Sequence, residues 1–402
     1  MPTSSGGKEK PTLTTVPHEV AVNILECCHD LDSLLSLIAS CRYFYSVFHT
    51  YQISIMHTFI SREIDPAVLP EAVQASKAAE IYRRGPSFSA LPFAVSELFG
   101  EGRGALVKDR WSLADGIAAI RLHSIIDRFA SELAFDYLIY LKQNSCQEER
   151  EGPPSTTELA RIKRALYRFE VFCRLFPPVD DCKIPQENLH FKLRMSDKSR
   201  STDPDFRAAQ VSFISFLSLW EREQLYSVYE SLWRQVVPAF NDISFHDLGR
   251  TSFEYSYPWQ LGNNDIECIL SRGLRGIYNI SRAKTLTERR KVLGPDFPDP
   301  RGEFLHDAFR RYHSPQMKLI YLATDYETFR QQYPPFYNDS DPSPEIVFRW
   351  AHNLEDMWGA GNWIHIRSRA NGYVFWDKER IDGTRFLWLE WIDTQMVTEG
   401  IS

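Results

Sequence analysis

A mainly α-helical chain is the fold class this sequence predicts, and three observations predict it. Apolar residues recur at steps of three and four along much of the 402 residues. Pro17, Pro66, Pro177-Pro178, Pro238 and the pair Ser155/Glu158 punctuate those runs as helix starts and stops do. A two-residue alternation is read only in one short stretch near the C-terminus. The division that follows is a disordered leader over 1–15, a three-helix module over 16–64, a helix and linker over 65–110, a helical domain over 111–337, and an aromatic-rich segment with a small β-hairpin over 338–402.

The leader is rich in Ser, Gly and Lys and carries no apolar stripe. Behind it, Pro17 suits the first turn of a helix, where amide donors are unpaired anyway. Glu19 follows where the helix dipole favours negative charge. Val20, Ile24, Cys28 and Leu31 then recur on one face, with Leu25 beside them. Asp30 and Asp32 interrupt the pattern, and Asp32 is the expected N-cap of a second helix carrying Leu34, Leu37, Ile38 and Cys41. A third stripe runs through Phe44, Val47, Phe48, Tyr51, Ile55 and Phe59 to about Ile64. Helices this short are marginal alone, so each must bury its stripe against the others or against a partner.

The order of residues in this trio resembles an F-box. The matching positions are Val16-Pro17, Glu19, Val20, Ile24-Leu25, Asp32, Leu34-Leu35 and Cys41-Arg42, with Phe44 and Tyr45 behind them. It is most similar to the F-box-like segment at the front of filamentous-fungal proteins; Gly372 to Asp377 is similar to a segment near the C-terminus of the same proteins. The resemblance implies a Skp-type adaptor as partner, contacted by Pro17, Val20, Leu25, Leu34, Leu35, Cys41 and Arg42. It also implies a non-catalytic substrate receptor of a cullin-RING ubiquitin ligase, whose degradation target one sequence does not name. The chain departs from the pattern at Val16, Cys27-Cys28 and Phe44, each smaller than the usual residue.

Farther on, a short helix is expected over Val68 to Tyr82, and Gly85-Pro86 with the Gly100–Gly104 cluster reads as linker. Ile117 to Leu141 makes a long helix and Gln143 to Pro154 a loop. Ser155-Thr-Thr-Glu158 has the spacing of a capping box, followed by the stripe Leu159, Ile162, Leu166, Phe169, Cys173 and Phe176. Arg161, Lys163 and Arg164 read as the solvated face of that helix. Asp180 to Asp205 is polar and irregular. Phe206 to Val237 is apolar on more than one side, as a central helix is, with Pro238 as its stop. Ile266 to Ile280, Thr285 to Leu293, Phe304 to Tyr312, Met317 to Gln332 and Glu345 to Trp358 complete the helices. Trp363, Ile364 and Ile366, the turn Asn371-Gly372 and the run Tyr373–Trp376 predict the hairpin.

Composition narrows the function classes. The apolar and aromatic fractions, 43% and 13%, are those of a folded globular chain of two or three domains. A net charge of −7 argues against a sequence-independent nucleic-acid binder, which needs a basic face. Seven cysteines without regular spacing read as reduced thiols, and neither a secretory signal nor a membrane span is visible, so an intracellular location is expected, without a membrane partner.

No catalytic constellation, metal set or cofactor motif is recognised: there is no Gly-x-Ser-x-Gly elbow, no Cys-x-x-Cys and no complete phosphate loop. His29-Asp30, His246-Asp247 and His306-Asp307 keep a metal-dependent phosphohydrolase as a remote alternative, with His306-Asp307 the best placed of the three. Trp350, Trp358, Trp363, Trp376, Trp388 and Trp391 crowd the last segment; core packing is the expected role, a recognition surface the alternative. A structural or interaction protein whose trio binds no adaptor is the other reading.

Overall fold

The computed structural model describes residues 16–85, 88–100, 111–143, 152–177, 204–248, 264–293, 304–305, 308–309, 331, 341–348, 351, 369 and 371–382. These residues are mainly helical, and no strand occurs among them. The trio is α1 (His18–Glu26), α2 (Leu31–Ser40) and α3 (Arg42–Glu63). Next come α4 (Leu69–Arg84), a 3₁₀ turn at Phe88–Ala90, α5 (Leu91–Phe99), α6 (Leu113–Gln143) and α7 (Thr156–Leu175). After these follow α8 (Pro204–Ser215), α9 (Leu219–Leu248), α10 (Asn264–Leu270), α11 (Gly273–Arg282) and α12 (Leu286–Leu293). A 3₁₀ turn at Tyr373–Phe375 and the short α13 (Lys378–Asp382) close the described chain. No described helix is long and apolar enough to cross a membrane.

Helix α7 is the hub. Helices α4, α6, α9, α11 and the Tyr373–Phe375 turn all pack on it. Its start is the capping box read from the sequence: the Glu158 amide donates to Ser155 Oγ at 3.1 Å, and the Ser155 amide donates to Glu158 Oε2 at 2.7 Å. The expected stripe is buried except for the half-buried Leu159, yet fifteen of the twenty residues of α7 are buried, so the helix is enclosed on nearly every side. This corrects the reading of Arg161 and Arg164 as a solvated face: both are buried, and only Lys163 stays partly exposed.

Four other expectations change. Phe88–Phe99, between the two expected linker marks, is a 3₁₀ turn and helix burying Leu91, Val95, Leu98 and Phe99 against α8 and α4. The single helix expected from Phe206 to Val237 is two, broken at Phe216–Ser218. Pro238 does not end α9; it lies exposed inside it, while Val236, Val237, Ala239, Phe240 and Ile243 keep the flanking turns buried. That burial outweighs the ~3 kcal/mol that an interior proline costs. Finally, Tyr373–Phe375 is a buried 3₁₀ turn rather than the second strand of a hairpin. Gly372, at φ +61°, turns the backbone so that all four residues Tyr373–Trp376 enter the core beside Tyr137. A strand would have sent alternate side chains outward. Trp363 to Ile366 lies outside the described residues, as do the leader 1–15 and the linker cluster 101–104.

Candidate functional site

The trio is held from inside by α3. Leu25 from α1 and Leu34 and Ile38 from α2 are buried against Phe44, Val47, Phe48 and Ile55 of α3. Fully burying side chains of this size stabilises by about 1.5–3 kcal/mol each. Polar contacts fix the angles between helices. Tyr43 Oη donates to the Val16 carbonyl at 2.5 Å, drawing the start of α1 to the start of α3. At the other end, the Arg62 guanidinium donates to the carbonyls of Glu26 and Cys28 at 2.9 and 2.7 Å, satisfying acceptors that the end of α1 leaves open. The N-cap of α2 is Asp30, which accepts from the Ser33 amide at 2.7 Å; Asp32, expected in that role, is the second residue of the helix. Asp30 wins because it is the last extended residue before the helix.

The seven residues implied as adaptor contacts divide into two sets. Leu25 and Leu34 are fully buried in the chain's own core and present no surface. Pro17, Val20 and Arg42 are exposed, and Leu35 and Cys41 are half-buried. Val20 is 44% exposed, and Tyr45, one turn into α3, is 58% exposed. The Tyr43–Val16 bond and the His18–Tyr43 ring contact at 5.7 Å put Pro17 and Val20 at the same end of the module as Cys41 and Arg42. At that end the Phe44 amide, offered to the Cys41 thiol, holds it below its ordinary pKa, whereas burial pushes Cys28 up. Farther along, α3 kinks at Tyr51 (φ −111°, ψ 18°), opening a shallow groove of ≈ 410 Å³ lined by Tyr51, Ser54, His57 and Thr58 among others.

Below the kink, α3 keeps the end of α1, through Arg62 and through Ser54 and Thr58 at the Glu26 carboxylate, and also docks on α6 through Met56 and Ile60, which close over Gly116. A side chain at Gly116 would occupy the Met56 methyl position. The module is therefore seated on the body by the second half of α3, which holds the end of α1 as well.

Sequence reasoning missed a set of buried charges around α7 and α9. Arg168, from α7, donates to Glu71 of α4 at 3.1 Å and to Glu221 of α9 at 2.8 Å, all three buried. Burial pushes the Glu71 carboxyl up against the pull of Arg168. Arg161 meets Asp377 at 2.6 Å, Asp341 at 2.7 Å and the Phe375 carbonyl at 3.0 Å. Burial alone would raise Asp341, but bonds from Ser343 and Arg161 bring it down to about 2. Arg380 returns from α13 to Glu158 at 2.8 Å, and Arg369 grips Glu223 at 2.6 and 3.0 Å with its guanidinium 4.3 Å over Tyr226. The Arg161, Arg380 and Arg369 pairs clamp 369 and 371–382 onto α7 and α9. The signal was present as Arg161, Arg164 and Arg168, one helix face of three like charges, which a solvated face shares.

The residues that could do chemistry are placed as follows. His29 and Asp30 are exposed side by side at 3.9 Å, and His246 is exposed on α9. His306-Asp307 lies outside the described residues, among which no group of three or more His, Cys, Asp or Glu is placed to hold a metal. His123 Nδ1 lies 2.8 Å from Tyr167 Oη and its Nε2 3.4 Å from Asp127, which pairs with Lys163 at 2.7 Å. Tyr167 is fully buried and burial pushes its hydroxyl well up, so this chain of groups ties α6 to α7. Of the C-terminal aromatics, Trp376 is fully buried, donating to the Asn371 carbonyl at 2.8 Å. Comparison with family models, curated proteins and solved structures found no match to this chain.

Proposed function

We propose that the chain is a non-catalytic substrate receptor of a cullin-RING ubiquitin ligase, acting inside the cell, that docks a Skp-type adaptor through the free end of its N-terminal trio. Pro17, Val20, Leu35, Cys41 and Arg42 make the contact, while Leu25 and Leu34 shape it from within. The helical body then presents the degradation target. One observation carries the reading: Val20, on the apolar stripe of α1, and Tyr45, in the first turns of α3, are both exposed at the end where the starts of α1 and α3 are drawn together. An aliphatic and an aromatic side chain left exposed at one end of a small module suit a partner that covers them.

Co-expression with a Skp-type adaptor followed by gel filtration tests this. Wild-type chain should co-elute with the adaptor, and Val20→Glu with Arg42→Glu should abolish co-elution while the helical circular dichroism is retained. Both positions are exposed, so the pair leaves the core intact. Wild-type chain eluting alone would reject the proposal. It would favour a second reading, an interaction protein whose trio serves its own body, which the seating of Met56 and Ile60 over Gly116 supports.

A further inference from the structure

We propose that the exposed basic side chains of α11 and α12 form a docking surface for an acidic peptide segment of a partner protein, its charge carried by carboxylates. Between Ser271 and Leu293 the chain carries seven basic residues and one acid, Glu288, although its net charge is −7. Arg272 and Arg289 are spent on the fold. Arg272 donates to the carbonyls of Val292 and Leu293 at 3.2 and 3.0 Å, and Arg289 pairs with Asp242 and donates to the Ala283 carbonyl. Arg275, Arg282, Lys284, Arg290 and Lys291 are exposed.

The helix dipole accounts for some of these. Arg282, Arg290 and Lys291 sit in last turns, where the C-terminal end favours cations. Arg275 sits in the first turn of α11 and Lys284 just ahead of α12, where the dipole opposes a cation. No carboxylate among the described residues forms an ion pair with Arg275, Arg282, Lys284 or Lys291. Arg275 and Arg282 are seven residues apart on α11, hence on one face and about 10 Å apart along the axis. Three residues of extended peptide span about the same distance. Between them lies Tyr278, its ring approached by Arg128 at 5.4 Å and Arg282 at 5.7 Å, which holds both guanidinium groups in place.

Patch size and the charge elsewhere favour a peptide. Helix α11 is about 15 Å long, and the remainder of the chain is acidic, so a nucleic acid or an anionic bilayer extending past the patch would meet repulsion. The surface stands apart from the trio: α11 meets α6 at Phe129, whereas α3 meets it at Gly116, about 20 Å away along the helix.

Fluorescence anisotropy on the full chain tests the proposal, using labelled ten-residue peptides of alternating Glu-Ser, phosphoserine-Gly and Gln-Ser. The Glu peptide should bind at low salt and weaken at 0.5 M, and tighter binding of the phosphoserine peptide would overturn the assignment to carboxylates. Arg275→Ala, Arg282→Ala and Lys291→Ala together should weaken binding about tenfold, three exposed charges each contributing modestly. Arg275→Lys with Arg282→Lys should retain most of it. Equal binding of the neutral peptide, no effect of the triple variant, or tighter binding of ten-residue oligothymidylate or phosphatidylserine vesicles would overturn the proposal. No adaptor enters the measurement, so its failure and that of the adaptor reading are separate outcomes.

Discussion

In the trio, no charged side chain of α1, α2 or α3 is buried; its interior is Leu25, Leu34, Ile38, Phe44, Val47, Phe48 and their neighbours. Around α7, by contrast, Arg161, Arg164, Arg168, Glu158 and Glu170 are buried on one helix, and Glu71, Glu221, Arg222, Glu223 and Glu230 close in from α4 and α9. The two regions meet the same need, holding helices against one another, in opposite ways. An apolar interior tolerates slight misfit, because dispersion and desolvation have no direction. A buried ion pair does not, because the attraction repays desolvation only when the geometry is good. The trio is thus the part able to give up an apolar face to a partner, and the body the part whose arrangement is specified by pairing.

Breaking one pair should separate the two regions most sharply. Arg168→Met leaves Glu71 and Glu221 facing each other without their cation and should destabilise the chain by about 3–5 kcal/mol in urea unfolding. Adding Glu71→Leu and Glu221→Gln should recover most of that loss, since an apolar group replaces one carboxylate and the amide keeps an acceptor for the buried Ser218 amide. In the trio no second substitution rescues Leu34→Ala, which removes buried methyl groups and costs about 2–5 kcal/mol. An innocuous Arg168→Met would erase the distinction between the regions.

A smaller effect tests the clamp on the C-terminal residues. Gly372 combines φ +61° with a Cβ direction that ends 2.5 Å from the Tyr137 ring. Gly372→Ala must strain the backbone and displace that ring, at about 2 kcal/mol. Limited proteolysis should then cut within 371–382 while leaving α1–α3 intact. Cleavage appearing first in the trio would mean that the two regions are held as one.

The contrast also explains how much could be read from the sequence. The three trio helices, the long α6, and the cap and stripe of α7 follow from spacing, since an apolar residue every three or four positions has few other meanings. Which of the adaptor residues face outward was not legible: Val20 and Leu25 lie on adjoining parts of one stripe, and only the direction from which α3 approaches decides that Leu25 is covered. Arg161 and Arg168 were illegible for a different reason. Their partners Asp377 and Glu71 are some two hundred and one hundred residues away, and a lone sequence shows no sign of such pairing. Pro238 misled because a breaker reports local cost only, and the burial of Val237 and Phe240 lies in tertiary packing.

The finest test is one of slope with pH. Burial pushes the Glu230 carboxyl up to about 7; Arg369 and Arg234 pull it down, and Glu223 pushes it up. Arg369 reaches it at 3.6 Å and Arg234 at 3.8 Å, on a helix that also presents Tyr226 and Tyr229, with Glu267 of α10 bonded to Tyr229 at 2.9 Å. The folded chain therefore keeps a proton that the unfolded chain releases between pH about 4.5 and 7. Stability from this group is fully present below its unfolded pKa and is lost as pH rises through 7. Glu230→Gln cannot ionise, so it should flatten that part of the curve and gain on the order of 1 kcal/mol over the wild type at pH 8. Asp341 and Glu158, both held low, act in the opposite sense and only at acid pH, so they do not obscure the window. Leu34→Ala removes no titrating group, and its curve should run parallel to the wild type, lower at every pH. A wild-type curve level between pH 5 and 8 and unchanged by Glu230→Gln would mean that this carboxylate is solvated, and that the body's interior is less dry than the trio's.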